Sequence, residues 1–121
     1  MSRRDTGILG EKLAGEFLQK RGYRILETNF RCHEGEVDII ARDGEYLAFV
    51  EVRAKKNLAF GHPEESITPA KMKRLIATAY NYLEMHDSLY DLWRIDVVAI
   101  ELDNQGKPSR IELIESAVDE P

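Results

Sequence analysis

Two segments of the chain carry apolar residues at the spacing of an amphipathic helix. The first runs from about residue 8 to Lys20 and is followed by Gly22, a residue type that ends helices. The second runs from Pro69 to about residue 86 and follows Thr68, which suits an N-cap. Its apolar positions form one stripe, Met72, Leu75, Ile76, Ala79 and Leu83. The pattern therefore predicts two helices, each with one face against a core.

Short segments rich in β-branched and aliphatic residues fill the rest of the chain. They are YRILETNF at residues 23–30, two segments within residues 35–54, and WRIDVVAIEL and RIELIE on either side of the turn-rich DNQGKPS. The predicted element order is then α-β-β-β-α-β-β. Residues 37–54 are apolar on one whole face of the predicted hairpin and on half of the other. We therefore expect an α/β fold in which helices cover both faces of the sheet.

The charged end of this hairpin is the most informative part of the sequence. Asp43-Gly44 favours a two-residue type I′ turn, which pairs positions whose numbers sum to 87. Glu36 then lies opposite Glu51, and Asp38 lies diagonal to Glu51. Side-chain alternation places all the charged residues of this end on one face, Glu36, Asp38, Glu51 and Arg53.

Two facing acids destabilise a strand pair by roughly 0.2–1 kcal/mol, so we expect something to offset their repulsion. One interpretation is a divalent cation, because Mg²⁺ prefers carboxylate oxygens and could be shared by Asp38 and Glu51. The other is a solvated hairpin end in which Arg53 forms an ion pair with Glu51 or Glu36. The residues alone leave both interpretations open.

Composition bounds the class of protein. The chain has 121 residues, 43% hydrophobic and 32% charged, which is enough for one core and too little for two. We expect a single domain over residues 1–121, with flexible ends at residues 1–5 and 116–121. No apolar stretch is long enough for a membrane span or resembles a signal peptide, so we expect a cytoplasmic protein without membrane association. Cys32 is the only cysteine, which excludes an internal disulfide.

The net charge of −5 argues against generic electrostatic binding to nucleic acid. The charge is uneven, however, because residues 1–80 carry 14 basic and 12 acidic side chains and residues 81–121 carry 3 and 10. Lys71, Lys73 and Arg74 lie in the first two turns of the second helix, where cations oppose the helix dipole. They could form a phosphate seat with the backbone N–H groups, or simply a solvated helix face.

The hairpin resembles the motif of the PD-(D/E)XK nuclease superfamily, in which acids on adjacent strands are followed by a cation. About residues 5–101 are similar to the YraN-type bacterial proteins, a branch of that superfamily. The similar segments are TGILGEKLAGEFLQKRGYRILETNFRCHEGEVDIIARDG, FVEVRAK, ITPAKMKRL and RIDVVAI. The resemblance implies a restriction endonuclease-like fold with a central mixed sheet flanked by helices, and phosphodiester hydrolysis with Mg²⁺ or Mn²⁺. It also implies nucleic acid, DNA above all, as the partner and a homodimer as a common working form.

By position, the resemblance assigns Asp38 and Glu51 as metal-binding catalytic acids and Glu11 of the first helix as a third acid. Glu36 becomes an accessory metal ligand. Taken by itself, Glu11 is equally well explained as an acid near a helix start, where the dipole favours it. Arg53 stands where the superfamily has lysine. Arginine can stabilise charge on a phosphate, but it cannot give up a proton and so cannot be a general base.

Lys55 has the same strand parity as Arg53 and could partly replace the missing lysine. It joins Lys71, Lys73 and Arg74 in the expected nucleic-acid-binding set. Three functional classes follow from these residues. They are a Mg²⁺-dependent endonuclease acting on branched or damaged DNA, a catalytically impaired nucleic-acid binder, and a protein-interaction module with the same fold.

Overall fold

The structure, a computed structural model, describes residues 2–59, 61–86 and 92–117. Within these ranges two long helices and five strands follow the predicted order α-β-β-β-α-β-β. They are α1 (Arg3–Lys20), β1 (Arg24–Cys32), β2 (Gly35–Asp43), β3 (Tyr46–Lys55), α2 (Pro69–Met85), β4 (Leu92–Leu102) and β5 (Pro108–Ile114). A short 3₁₀ helix, Pro63–Ser66, lies between β3 and α2. None of the helices in the described ranges has the length and apolar character needed to cross a bilayer.

The strands form one mixed sheet in the order β1-β2-β3-β4-β5. Neighbouring strands are antiparallel except β3 and β4, which run parallel. Parallel neighbours need a crossover connection, and the segment containing α2 supplies it. The predicted α/β fold, with a central mixed sheet flanked by helices, is confirmed.

A helix packs on each face of the sheet. Ala14 and Leu18 of α1 join one buried layer, together with Tyr23, Ile39, Ala41, Ala48, Val50, Val98, Ile100 and Leu102. Leu75 and Ala79 of α2 join the other, together with Phe30, Val37, Ile40, Leu47, Phe49, Tyr82, Leu83 and Ile95. The strands between the helices are buried on both faces, as the apolar pattern predicted.

One residue of β2 departs from the predicted alternation. Regular pleating puts Val37 on the same face as Ile39, but Val37 packs in the α2 layer with Ile40 and Phe49. A regular strand cannot place Val37 and Ile40 on one face, so β2 must twist between them. This irregularity lies next to Asp38, at the charged end of the hairpin.

Both ends of the described chain make hydrogen bonds that the sequence did not predict. The first helix begins at Arg3 rather than near residue 8, because Ser2 and Asp5 form a capping box. At the other end, the Ser116 N–H donates to the buried Asp96 carboxylate at 2.9 Å. Ser2, Asp5, Ser116 and Ala117, which lie in the segments expected to be flexible, therefore have hydrogen-bond partners. Residues 1 and 118–121 lie outside the described ranges.

The hairpin of β2 and β3 has a different register from the predicted one. Asp43 lies opposite Tyr46, so paired positions sum to 89. Gly44 is the first turn residue and has a φ of 60°, as a type II′ turn requires. Asp43 stays in the strand because its carboxylate accepts a hydrogen bond from Arg94 at 2.7 Å. The predicted type I′ turn, and with it the predicted facing of two acids, is wrong.

Gly10 sets the distance between α1 and the sheet. A Cβ added at Gly10 would lie 2.7 Å from the Ala54 Cβ, whereas one added at Gly15 of the same helix would meet nothing within 4 Å. We predict that Gly10→Ala lowers the free energy of unfolding by about 1–3 kcal/mol, because α1 must move off β3. Gly15→Ala should raise it by up to about 1 kcal/mol through helix propensity. Urea unfolding measures both, and equal effects of the two substitutions would contradict the close approach.

Candidate metal and nucleic-acid site

Strands β2 and β3 part at the end of the hairpin far from the turn. Their ladder ends at Ile39 opposite Val50, while β3 continues beside β4 to Lys55. Beyond the ladder, Oδ2 of Asp38 accepts a hydrogen bond from the Val52 N–H at 2.7 Å. A side-chain carboxylate thus takes the place of a strand partner. The parting leaves a gap in which side chains of both strands can meet.

Three carboxylates from three elements meet at this gap. The Glu51 side chain of β3 is 7% exposed. Burial, followed by hydrogen bonding to Asp38 and the charge of Asp38, raises the pKa of Glu51 to about 8. Burial and the nearby Asp38 also raise the pKa of Glu11, which is half-buried on α1. The structure therefore brings together the three acids that the sequence singled out, Glu11, Asp38 and Glu51.

Two cations lie close to the buried Glu51 carboxylate without forming a tight ion pair. An Arg53 terminal nitrogen is 3.6 Å from Oε2 of Glu51, and Nζ of Lys71 is 3.8 Å from the same atom. Both distances exceed those of good hydrogen bonds. Both cations lower the pKa of Glu51, but their effect is smaller than that of burial and of Asp38. The gap therefore remains unfavourable for a second negative charge.

These groups form part of a cleft of about 440 Å³ between β1, β2, β3 and α2. Its charged lining consists of four basic and three acidic side chains, Arg31, Arg53, Lys71 and Arg74 with Glu36, Asp38 and Glu51. The cleft is therefore locally basic in a chain whose net charge is −5. A divalent cation bound at the acids would make it more strongly positive.

Other predicted site residues lie further from the three acids. Glu36 lies opposite Arg31 of β1, and its Oε2 is 2.8 Å from the Arg31 Nε in an exposed ion pair. The prediction that Glu36 faces Glu51 is corrected by the observed register. Lys73 is exposed on α2 and is not part of the cleft lining, and Lys55 lies further along β3 and also outside the lining. Of the predicted cations, the cleft therefore contains Arg53, Lys71 and Arg74.

Sequence reasoning missed two residues of this region. Arg31 lines the cleft, and the short connection between β1 and β2 could have indicated its pairing with Glu36. Ser66 accepts a hydrogen bond from the Arg53 Nε at 2.8 Å. No pattern in the sequence could have indicated this contact, because Ser66 lies in a connecting segment whose path depends on the folded sheet.

Asp38 and Glu51 fit a divalent cation held by two protein ligands. Across the described part of the chain, no group of three His, Cys, Asp or Glu side chains is arranged to hold a metal ion. Mg²⁺, however, usually takes one or two carboxylates and completes its octahedron with water and phosphate. Carboxylate oxygens suit Mg²⁺ and Mn²⁺, and a cation here would offset the cost of charging the buried Glu51. We therefore regard the pair as compatible with either ion.

Comparison with known proteins gives the family. The model of the uncharacterised protein family UPF0102 matches residues 10–100, which include both helix-borne and strand-borne site residues. The chain belongs to this family. A UPF0102 protein of Dehalococcoides mccartyi is 48% identical over 119 residues, covering 98% of this chain and 97% of the relative. UPF0102 proteins of Renibacterium salmoninarum and Caldicellulosiruptor saccharolyticus are 46% and 41% identical, over 89% and 97% of this chain and 91% and 99% of the relatives.

The buried Glu51 of this UPF0102 protein should make its stability fall as the pH rises. The pKa of Glu51 is about 8 in the folded chain and near 4.5 ordinarily, so the native state retains a proton that the unfolded state releases. This stabilising contribution is complete below about pH 4.5 and is lost as the pH rises through about 8. We predict that Glu51→Gln has the higher free energy of unfolding at about pH 9, by roughly a few kcal/mol, and little advantage near pH 4.5.

Urea unfolding without divalent metal at several pH values measures this effect. Glu16→Gln, on an exposed position of α1, is the matched control and should follow the wild type throughout. An advantage of Glu51→Gln that is the same at acidic and alkaline pH would contradict the raised pKa.

Proposed function

We propose that this protein is a metal-dependent endonuclease of the PD-(D/E)XK superfamily that hydrolyses phosphodiester bonds of DNA, with branched DNA as the substrate class. The observation that carries the proposal is the buried Glu51 beside Asp38, at the point where two strands part inside a basic cleft. A purely structural hairpin end would gain nothing from burying the Glu51 carboxylate next to the half-buried acid Asp38. A site for a hard cation and a phosphate gives both the acids and the surrounding cations a use.

Asp38 and Glu51 would hold the ion through their carboxylate oxygens. A divalent ion would stabilise the negative charge of the phosphate in the transition state and would lower the pKa of a bound water. Asp38 is already oriented by the Val52 N–H. Glu11 contacts Asp38 from α1 and would orient it, or a water beside it, from the other side. Hydrolysis joins the oxygen of a water to phosphorus, and the broken P–O bond leaves its oxygen to take up a proton.

The cations of the cleft would bind the substrate phosphate and stabilise its developing charge. An arginine side chain cannot act as a general base, so the role of Arg53 would be electrostatic. Lys71, whose Nζ is 3.8 Å from the same Glu51 oxygen, carries an ammonium group, as the motif lysine does. This division of roles between Arg53 and Lys71 would explain how the site could work with arginine at the position of the motif lysine. A nucleic-acid-binding domain without cleavage activity is the alternative if Lys71 does not supply that function.

We predict that the wild-type protein cleaves a four-way DNA junction in the presence of Mg²⁺ or Mn²⁺. Asp38→Asn and Glu51→Gln should each lower the single-turnover rate by at least about 10²-fold, because each removes a charge that holds the ion. Both substitutions keep side-chain size, and Glu16→Gln is the exposed control. Junction binding without cleavage by the wild type would favour the non-catalytic alternative, and neither binding nor cleavage would favour a protein-interaction module.

The cleft cations can be distinguished from the other basic residues of α2 by salt dependence. We predict that Lys71→Ala and Arg74→Ala each reduce the slope of log affinity against log salt by about one unit for junction DNA. Lys73→Ala is the matched control, because Lys73 lies on the same helix but outside the cleft lining. Equal slope changes for Lys71→Ala and Lys73→Ala would place the nucleic-acid contact on the outer face of α2 instead.

A further inference from the structure

Arg53 is held in the cleft by a chain of hydrogen bonds that reaches the backbone of the 3₁₀ helix. The Arg53 Nε donates to the Ser66 Oγ at 2.8 Å, and the Ser66 Oγ donates to the Pro63 carbonyl at 2.6 Å. Because the hydroxyl proton points to the Pro63 carbonyl, the oxygen lone pairs are left to accept from Arg53. The donor–acceptor direction of these two hydrogen bonds is therefore fixed, from Arg53 to Ser66 and from Ser66 to Pro63.

The 3₁₀ helix that carries Ser66 is itself attached to the far edge of the sheet. Arg110 of β5 forms a two-pronged contact with the Glu64 carboxylate, at 3.0 and 2.8 Å. The same guanidinium donates to the Glu101 carboxylate of β4 at 2.6 Å. Pro63 is buried. A planar guanidinium that binds a carboxylate with two nitrogens fixes orientation as well as distance. Ser66 therefore belongs to a braced segment and not to a freely moving loop.

We infer that Ser66 is a positioning residue that holds the Arg53 guanidinium toward a phosphate of the nucleic acid, an inference that rests on the proposed function. Arginine has five N–H donors in a planar fork. The Nε hydrogen bond to Ser66 restricts rotation of the fork, and one terminal nitrogen lies 3.6 Å from Glu51. The other N–H groups are then left for an oxygen in the cleft that Arg53 lines. Without Ser66, the long Arg53 side chain would rotate among several rotamers.

The inference is tested by comparing Ser66→Ala with Arg53→Ala and with the double variant. We expect Ser66→Ala to lower the single-turnover cleavage rate about 10-fold and Arg53→Ala to lower it about 10²-fold to 10³-fold. The double variant should be no slower than Arg53→Ala, because Ser66 acts through Arg53. Ser66→Thr keeps the hydroxyl and should restore most of the rate. Ser109→Ala is the matched control, since Ser109 also donates to a backbone carbonyl, that of Glu101, but on an exposed part of β5.

Two readouts separate this inference from the proposed function. The first is the affinity for junction DNA measured in Ca²⁺, which binds the same oxygen ligands as Mg²⁺. The second is the rate at which the Arg53 Nε–H exchanges with solvent, measured by NMR on the protein without DNA. Slower exchange in the wild type than in Ser66→Ala, with weaker DNA binding by Ser66→Ala, supports the inference even if the wild type does not cleave. If the wild type cleaves the junction and Ser66→Ala has the same cleavage rate and the same Nε–H exchange rate as the wild type, the inference about Ser66 is overturned. The proposed function would then remain intact. Additive losses in the double variant would also overturn it.

Discussion

The candidate site depends on the hydrogen bond from the Val52 N–H to the Asp38 carboxylate. If β2 continued beside β3, a backbone carbonyl would accept this bond and the strands would remain paired. The carboxylate allows the strands to part without leaving the N–H unpaired. The same hydrogen bond brings the negative charge of Asp38 next to Glu51, and burial with that charge raises the pKa of Glu51. One hydrogen bond therefore accounts both for the separation of the strands and for the position of the two acids.

The rest of the fold keeps that gap at a defined width. On one face, Gly10 lets α1 approach Ala54 so closely that Glu11 reaches Asp38. At the opposite end of the hairpin, the Arg94 guanidinium binds the carboxylates of Asp43 and Asp96. It thereby joins the hairpin turn to β4, next to the strand that carries Glu51. A partly buried charge network of this kind is a poor source of net stability, but it favours one register over its neighbours.

The two helices and the order of elements along the chain could be predicted from the sequence, because both depend on local pattern. Glu11, by contrast, is indicated by the family resemblance and not by its local pattern alone. Thr68 and Pro69 begin α2 where capping chemistry requires it, and Thr68 accepts from the Lys71 N–H at 3.2 Å. The hairpin register could not be predicted, because Asp43 is recruited by the distant Arg94 instead of the turn. Ser66 could not be predicted for a similar reason, since the path of its segment is set by Arg110 on another strand.

The net charge of −5 argues less strongly against nucleic-acid binding once the positions of the charges in the fold are considered. Three acids outside the cleft, Glu64, Glu101 and Glu112, are bound to the single guanidinium of Arg110. The single positive charge of Arg110 offsets one of these three negative charges, and what remains is screened within about 8 Å at physiological ionic strength. The cleft, by contrast, places four basic side chains around acids that a divalent ion would neutralise. A phosphate at this surface would therefore respond to the local excess of cations, and the total charge of the chain would mainly slow its approach.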